Sequence, residues 1–320
     1  MTKYPTYDEL PIDPSYPPNT AWGVFGKDDN LGTLNLLTEE RAAKAAQENV
    51  KKGAVFSLNW HLESPSPPLF NRTSIQHDIR DRGDSKKFDD VYSSFNTQTS
   101  TQWDGLRHVC HMSTGRFYNN VSPEDIVLGA KGSGRLGIHH MAQRGIAGRG
   151  VLLDYGRWCE RNGKQVNPLN RHVITVDELE QVAKDQKVEF QEGDILLLRT
   201  GWMAAYEREG DRLNEIMDLA KPECIGVEAC QDTYRWVWNN RFAAVAGDHV
   251  AFEAFPPKDW NDSCHAQFLG GFGMPIGEMF YLEKLAEDCA KDNRYYCLFT
   301  SAPLNKYQGV ASPPNALCMK

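Results

Sequence analysis

The sequence predicts a mixed α/β protein that folds as a single domain behind an extended N-terminal arm. Short apolar runs bounded by turn residues alternate with segments of helical periodicity, as strands and helices do in such a fold. The first 20 residues are polar and rich in proline, which fixes φ and removes backbone donors. No linker or repeat divides the remainder. We therefore expect residues 1–20 to form the arm and residues 21–320 to form one domain.

Several segments carry helix signals. Thr38 is a capping residue that precedes an acidic first turn and an alanine-rich body, and Gly53 is a stop signal for this helix. A short helix is predicted to begin at Pro123, because proline suits the first helical position. Three further segments have helical or amphipathic periodicity: residues 175–186, 228–239 and 282–291.

Strands are predicted where β-branched and aliphatic residues dominate. Residues 54–60 alternate in polarity and are expected to open the core sheet, and buried strands are expected at residues 150–154, 195–199 and 243–246. Residues 62–90 contain three prolines and many charges, which predicts a long loop with a short strand near residues 73–77. Loops of this length often act as lids or binding segments.

The composition bears on partners and location. Lys and Arg number 35 against 43 Asp and Glu, so there is no cationic surplus to bind a nucleic acid. No stretch approaches the roughly 18 apolar residues of a membrane span, and no basic-then-apolar leader is visible. The eight scattered cysteines lack a CxxC pair, which predicts reduced, buried thiols in a cytoplasmic protein.

Residues 98–108, QTSTQWDGLRH, form the densest group of side chains able to bind a metal or transfer a proton. Gln98, Gln102, Asp104 and His108 are separated by even numbers of residues, so an extended backbone would direct them to one face. They offer amide and carboxylate oxygens and an imidazole, which suit a divalent cation. Taken alone, the stretch also fits a surface loop with turn hydrogen bonds.

This stretch resembles the motif His-x-Gly-Thr-His-x-Asp-x-Pro-x-His of the cyclase family, which includes kynurenine formamidases and isatin hydrolases. Thr101, Asp104 and His108 match it, and the form TQWDGLRH resembles a microbial subgroup. Similarity extends over most of the chain, through residues 21–38, 148–154 and 311–316. Four motif positions differ: Gln98 and Gln102 stand for histidines, Ser100 for glycine and Leu106 for proline.

The resemblance implies a fold, a metal site and an assembly. The fold would be the mixed-sheet swivelling β/β/α fold, and the protein a homodimer or homotetramer. Gln102, Asp104, His265 and Glu278 would bind a divalent ion, Mn²⁺ or Zn²⁺, and His108 would be the catalytic acid and base. Glutamine in place of imidazole shifts the donors toward oxygen, which favours Mn²⁺ over a second Zn²⁺. Sites with one ion and with two ions both remain open.

The implied activity is metal-dependent hydrolysis of an amide, lactam or ester bond in a small cyclic or aromatic substrate. Two alternatives remain open: a lyase or cyclising dehydratase that uses the same ion, and a non-catalytic binder whose metal site is lost. Candidate substrate contacts are Trp60, Phe70, Trp103, Tyr118 and His249, although the aromatic residues also suit a core. The sequence does not identify the substrate.

Two other segments have competing interpretations. Residues 132–137, GSGRLG, match the dinucleotide pattern GxGxxG, but Gly145 leaves little room for the helix that such a site needs. A structural loop is therefore favoured there. Asp248, His249 and Glu253 follow a predicted strand, where a site can open, or they serve only as local caps and pairs.

Overall fold

Most strands of the protein belong to one mixed sheet. The structure, a computed structural model, describes residues 4–127 and 132–320. The strands are β1 (Val55–Ser57), β2 (Gln76–Asp81), β3 (Phe88–Ser94), β4 (Gln102–Asp104), β5 (Ile146–Asp154), β6 (Val173–Ile174), β7 (Ile195–Arg199), β8 (Gly226–Val227), β9 (Ala244–Gly247), β10 (Ile276–Glu278), β11 (Tyr296–Ser301), β12 (Ala311–Ser312) and β13 (Ala316–Met319).

The main sheet has nine strands in the order β1-β13-β11-β5-β7-β9-β10-β4-β12. Its centre, from β5 to β10, is parallel, and the pairs toward both edges are antiparallel. All residues of β7 and β9 are buried, as expected for parallel strands covered on both faces. The predicted mixed α/β, single-domain architecture is confirmed. The predicted strand at 54–60 is shorter, because only Val55–Ser57 pairs with β13.

Two of the predicted helices begin at the capping threonines that the sequence indicates. The Thr38 side chain accepts a hydrogen bond from the Arg41 backbone, and Thr175 forms a capping box with Glu178. No helix in the described residues is long and apolar enough to cross a membrane. The α-helices are α1 (Glu39–Asn49), α2 (Pro123–Ile126), α3 (Ile138–Arg144), α4 (Tyr155–Arg161), α5 (Val176–Asp185), α6 (Trp202–Glu209), α7 (Leu213–Ile216), α8 (Gln231–Asn239) and α9 (Glu283–Asp292), and a π-helix spans Ala266–Phe272.

The N-terminal segment lies against α8 of its own chain. Residues 1–3 of the predicted arm lie outside the described residues. Tyr7 is buried and donates hydrogen bonds from its backbone to Asn239 and from its hydroxyl to Gln231. The indole of Trp238 donates to the carbonyl of Pro5. These contacts fix the segment on the domain surface.

The prediction of a long loop at residues 62–90 is partly wrong. β2 and β3 form a separate antiparallel hairpin between residues 76 and 94. All residues of β2 are exposed, so neither strand shows the alternation of apolar and polar residues by which a strand with one buried face is recognised. The charged residues that predict a loop are those of a solvated hairpin.

Cys297 and Cys318 are paired as a disulfide, which corrects the prediction that all cysteines are reduced. They lie on the adjacent antiparallel strands β11 and β13, with their Cα atoms 5.6 Å apart. Their separation of 21 residues has no recognisable motif, and only the strand pairing brings them together. The cysteines at positions 110, 159, 224, 230, 264 and 289 are free thiols.

The glycine-rich segment 132–137 wraps around a buried arginine. The guanidinium of Arg107 donates hydrogen bonds to the carbonyls of Ser133 and Arg135, and it also reaches the carbonyl of Gln308. The helix that follows, α3, has seven residues. The segment therefore has a structural role, as the sequence favours.

Candidate metal centre

Two paired strands position the first ligand candidates. β4 runs antiparallel to β10, with Gln102 opposite Glu278 and Asp104 opposite Ile276. Residues directly opposite one another in a sheet project to the same face, so Gln102 and Glu278 lie side by side. The Gln102 amide donates a 2.7 Å hydrogen bond to Oε2 of Glu278. The pairing thus joins two stretches of chain that are 176 residues apart.

Trp103 lies on the face of β4 opposite to Gln102 and Asp104, and its role in substrate binding stays a prediction. Successive side chains of a strand alternate between faces, so the residue between Gln102 and Asp104 must point away from them. Trp103 is fully buried against Phe280 and Phe299. Its indole donates to the hydroxyl of Ser301.

His265 stands at the start of the π-helix, a type of helix that often occurs at functional sites. Its Nε2 atom lies 3.1 Å from Oε1 of Glu278 and 3.7 Å from Oδ2 of Asp104. Its Nδ1 atom lies 2.8 Å from Oε2 of Glu253, which is fully buried. The hydrogen bond to Glu253 leaves Nε2 as the free ring nitrogen facing the two other carboxylates.

Three buried oxygens at this point have no hydrogen-bond partner within the described residues: Oε1 of Gln102, Oδ2 of Asp104 and Oε1 of Glu278. The other oxygen of each carboxylate is satisfied, since Asp104 accepts from the Gln98 amide at 2.7 Å and Glu278 from the Gln102 amide. An unpartnered buried acceptor is costly. A cation bound among these atoms would remove that cost.

The charges at this site influence one another. Burial disfavours ionisation of Asp104, but the imidazoles of His108 and His265 outweigh it and lower the pKa of Asp104 to about 2. Burial, together with the Asp104 carboxylate, raises the pKa of Glu278 to about 7. Burial favours neutral His265, but the carboxylates, led by Glu253, raise the pKa of this imidazole. Buried carboxylates that need a neighbouring positive charge are the environment in which a divalent cation is stabilised.

His108 and Gln98 complete the group. The His108 Nε2 atom lies 3.7 Å from Oδ2 of Asp104, and Asp104, His108 and His265 offer ligand atoms within 4.8 Å of one another. The Gln98 amide nitrogen lies 3.3 Å from Nδ1 of His108. Burial lowers the pKa of His108, although the Asp104 carboxylate opposes this effect. The candidate residues of this stretch are Gln98, Gln102, Asp104 and His108. Turns bring them together, because only Gln102–Asp104 is extended.

An apolar cavity of about 320 Å³ opens above these residues. This volume lies in the range of small-molecule sites. Arg72 brings a positive charge to its wall, and the guanidinium also stacks on the ring of Phe70. The cavity is lined by His108, His265 and Glu278 at its polar end and by Phe70, Val109, Val250, Ala251, Phe255 and Trp260 elsewhere.

The other predicted substrate contacts lie outside this cavity. Trp60 packs against Trp202 and Tyr206 and lines a different groove, beside β1. Tyr118 is fully buried, and its hydroxyl donates to Asp29. His249 is also fully buried and contacts the carbonyl of Phe252. Tyr118 and His249 are held in the core and Trp60 lies at another groove, so none of the three lines this cavity, and their roles in substrate binding stay predictions.

Arg72, Phe255 and Trp260, which the sequence did not single out, form the walls in place of those residues. The sequence allowed either a functional role or only a local structural role for Glu253. In the structure this carboxylate pairs with His265. No spacing in the sequence joins Arg72 to residues 255–260, since they come from separate loops. The available signal for Glu253 was its position after a buried strand.

The donor set fits a divalent cation. Gln102, Asp104 and Glu278 each offer one unpartnered oxygen. His265 offers its Nε2 nitrogen. Ligand atoms about 2.1 Å from one ion are separated by roughly 3 Å when they subtend a right angle. Nε2 of His265 and Oε1 of Glu278, 3.1 Å apart, have this spacing. An oxygen-rich set favours a hard ion such as Mn²⁺.

Comparisons with known proteins give a matching family profile and several similar solved structures. The Cyclase family profile matches residues 28–254. The solved structure of a novel cyclase is 30% identical, with a TM-score of 0.82 over 94% of this chain and 99% of that chain. A comparison with curated proteins gave no match.

Two more distant structures share the fold. Isatin hydrolase A from Labrenzia aggregata, bound to benzyl benzoate, is 15% identical, with a TM-score of 0.59 over 89% of this chain and 98% of that chain. A predicted metal-dependent hydrolase from Bacillus stearothermophilus is 17% identical, with a TM-score of 0.50 over 84% and 98% of the two chains. The family profile covers well over half of this chain, and the cyclase-like fold is confirmed. The protein therefore belongs to the cyclase family.

Proposed function

We propose that the protein is a metal-dependent hydrolase that cleaves an amide, lactam or ester bond in a small cyclic or aromatic substrate. One observation carries the proposal. Ligand atoms of Asp104, His108 and His265 lie within 4.8 Å of one another, and Nε2 of His265 also lies 3.1 Å from the unpartnered Oε1 of Glu278 beside the cavity. The hydrolase names of the two distant structures support the reaction type, and family membership supports an enzyme.

The cavity favours a flat, apolar substrate. Phe255 and Trp260 pack edge to face on one wall, with Val250 beside them, and an aromatic or lactam ring would rest against these groups. Four polar side chains line the cavity, and two of them, His265 and Glu278, are ligand candidates. This arrangement would hold the scissile bond near His108 and His265 and would exclude most of the water.

His108 is placed to move the proton. Its side chain is 25% exposed and lines the cavity beside Asp104. Because burial lowers its pKa, the imidazole is neutral at pH 7 and can accept a proton from the attacking water. It can then deliver that proton to the leaving nitrogen or oxygen. When bound, the ion would polarise the substrate carbonyl and make the water more acidic.

Arg72 contributes charge to the same cavity. Its guanidinium lowers the pKa of both Asp104 and Glu278, so its field reaches the ligand candidates. It donates a hydrogen bond to the carbonyl of Gln98, which fixes the side chain at the wall. A cation in this position stabilises negative charge that develops on the carbonyl oxygen during hydrolysis.

The test combines metal analysis with product analysis. The protein is purified without chelator, its Mn²⁺ and Zn²⁺ content is measured, and isatin, N-formylkynurenine and an aryl ester are assayed by mass spectrometry. We expect bound metal and uptake of one water: the ring-opened product of isatin is heavier by one water, whereas N-formylkynurenine and the aryl ester each give two fragments whose masses sum to substrate plus water. Metal with loss of water instead would support a lyase or dehydratase. Less than about 0.2 ion per chain, with no turnover, would support a non-catalytic binder.

A pair of variants separates the site from general effects. Asp104→Asn removes a charged ligand candidate whose Oδ2 atom is unpartnered, so both metal and activity should be lost. Asp232→Asn changes an aspartate whose side chain is 83% exposed, and it should retain both. Full activity in Asp104→Asn would contradict the proposal.

A further inference from the structure

The amide of Gln98 lies in contact with two residues of the metal centre. Its nitrogen is 2.7 Å from Oδ1 of Asp104, and 3.3 and 3.4 Å from the two ring nitrogens of His108. An amide nitrogen carries hydrogens, so it donates hydrogen bonds and does not bind a metal ion. The group directed at Asp104 and His108 is therefore a donor, in a place where a cation would need the electron pairs of both residues.

The backbone of Gln98 is fixed on both sides of this side chain. Its N–H donates a 2.9 Å hydrogen bond to Oδ1 of Asn96, and its carbonyl accepts a hydrogen bond from the guanidinium of Arg72. The orientation of the amide follows from its surroundings. If the amide were reversed, its oxygen would face the Asp104 carboxylate, and two acceptors repel each other.

The two carboxylate oxygens of Asp104 differ in what they can bind. Oδ2 has no hydrogen-bond partner in the described part of the chain, and it lies 3.7 Å from Nε2 of His265. Oδ1 accepts from the Gln98 amide and also lies 3.5 Å from the amide nitrogen of Gln102. A carboxylate that bridges the two ions of a two-metal site, roughly 3.5–4 Å apart, gives one oxygen to each. Asp104 has one oxygen available, so it can serve a single ion.

The charge of the centre also matches one divalent ion. Three buried carboxylates bring negative charge when an ion is bound: Asp104, Glu253 and Glu278. Arg72 on the cavity wall brings one positive charge, and imidazoles that bind a metal are neutral. One divalent ion balances this set. A second ion would leave an excess of positive charge among buried groups, which is costly.

We propose that the Gln98 amide takes the place of a second metal ion, so that the centre binds one ion per chain and His108 stays free to carry the proton. The role of His108 rests on the proposed hydrolase function, whereas the number of ions rests only on the metal centre. Gln98 is thus a positioning residue, because it acts through Asp104 and His108. Gln98→His would replace the donor with a ring nitrogen, open a second ion site and make His108 a ligand.

The test counts the ions in the wild type and in Gln98→His. Each protein is saturated with Mn²⁺, freed of unbound ion by gel filtration, and examined by elemental mass spectrometry and electron paramagnetic resonance. We expect about one Mn²⁺ per chain in the wild type, with the resolved hyperfine lines of an isolated ion. Gln98→His should bind about two, with the broadened spectrum of two coupled ions. Gln47→His, the same change at an exposed position of α1, is the matched control and should stay at the wild-type count.

Turnover gives a second measurement, which should change in the opposite direction. Because His108 becomes a ligand, kcat of Gln98→His should fall by about 10²-fold or more while its metal content rises. If this variant binds two ions but keeps the wild-type kcat, the free role of His108 is wrong.

The wild-type count needs no variant and decides between two failures. Two coupled ions in the wild type, or one ion in Gln98→His, would overturn this inference and leave the proposed function intact. A wild type with less than about 0.2 ion per chain would overturn both.

Discussion

The Nδ1 atom of His265 lies 2.8 Å from Oε2 of Glu253, and both side chains are buried. When an ion is bound, this bond would keep the ring hydrogen on Nδ1 and leave Nε2, which faces Asp104 and Glu278, as the ligand atom. Partners of this kind orient metal-binding histidines and raise their basicity. Glu253 therefore acts on the metal centre through His265 and without entering the cavity.

Replacing Glu253 tests this role. Glu253→Gln keeps the shape of the side chain but removes the charge that holds His265, so metal affinity should fall by about 10–100-fold. The affinity is measured by competition with a fluorescent chelator at constant pH. Glu223→Gln, at an exposed position, is the control. Equal affinities of the wild type and Glu253→Gln would show that this carboxylate does not position the ligand.

The role of His108 is tested by separating metal binding from turnover. His108→Ala should retain the ion, because Asp104, His265, Glu278 and Gln102 remain, and kcat should fall by about 10²–10⁴-fold. His111→Ala removes an imidazole three residues away that does not line the cavity, and should leave kcat unchanged. If His108→Ala loses the ion as completely as Asp104→Asn, His108 is a ligand and not the proton carrier.

The glutamine at position 102 is expected to set metal preference. Its Oε1 atom is the neutral oxygen donor of the group. Gln102→His replaces this oxygen with an imidazole nitrogen, which should increase the affinity for Zn²⁺ relative to Mn²⁺ by about tenfold. Titrations of the metal-free variant with each ion give this ratio. A ratio equal to that of the wild type would place Gln102 outside the ligand set.

Local chemistry made much of the fold predictable. Thr38 and Thr175 cap their helices with bonds to residues three positions away, and the aliphatic run of β7 is buried throughout. Such signals need no knowledge of the distant chain. The β2–β3 hairpin was predicted only as a loop with a short strand near residues 73–77, because it faces solvent on both sides and its sequence has the composition of a loop.

The candidate site was predictable only in part. Asp104 and His265 were named from the family motif, and the structure brings them together through β4 and the start of the π-helix. The cavity wall could not be predicted, because Arg72 and Phe255 come from loops far apart in the chain. The orientation of Trp103 was predictable, since a residue between two ligand candidates on a strand faces the other way.

The C-terminal strand is tied to α9 by a buried lysine. Nζ of Lys320 lies 2.9 Å from Asp292 and 3.0 Å from Asp288. Burial opposes ionisation of Asp292, but hydrogen bonds from Lys320 and Lys52 outweigh it and lower the pKa of this carboxyl from 3.8 to about 2. A pKa depressed by folding gives stability that is present above the unfolded pKa and is lost as pH falls toward 2.

Lys320→Met tests this contribution. The variant should lower the free energy of unfolding by about 1 kcal/mol at pH 6, a value reduced for solvent screening around Asp292. The difference from the wild type should shrink as the pH is lowered from 4 toward 2, where Asp292 becomes protonated. Urea unfolding across this range measures it. A difference that stays constant with pH would assign the effect to packing of the lysine stem.

The most direct test of the metal centre is the anomalous difference density of crystals grown with saturating Mn²⁺. We predict a peak at about 2.0–2.3 Å from Oε1 of Gln102, Oδ2 of Asp104, Nε2 of His265 and Oε1 of Glu278. Density at another place, or no peak among these four atoms, would contradict the proposal that they form one cation site.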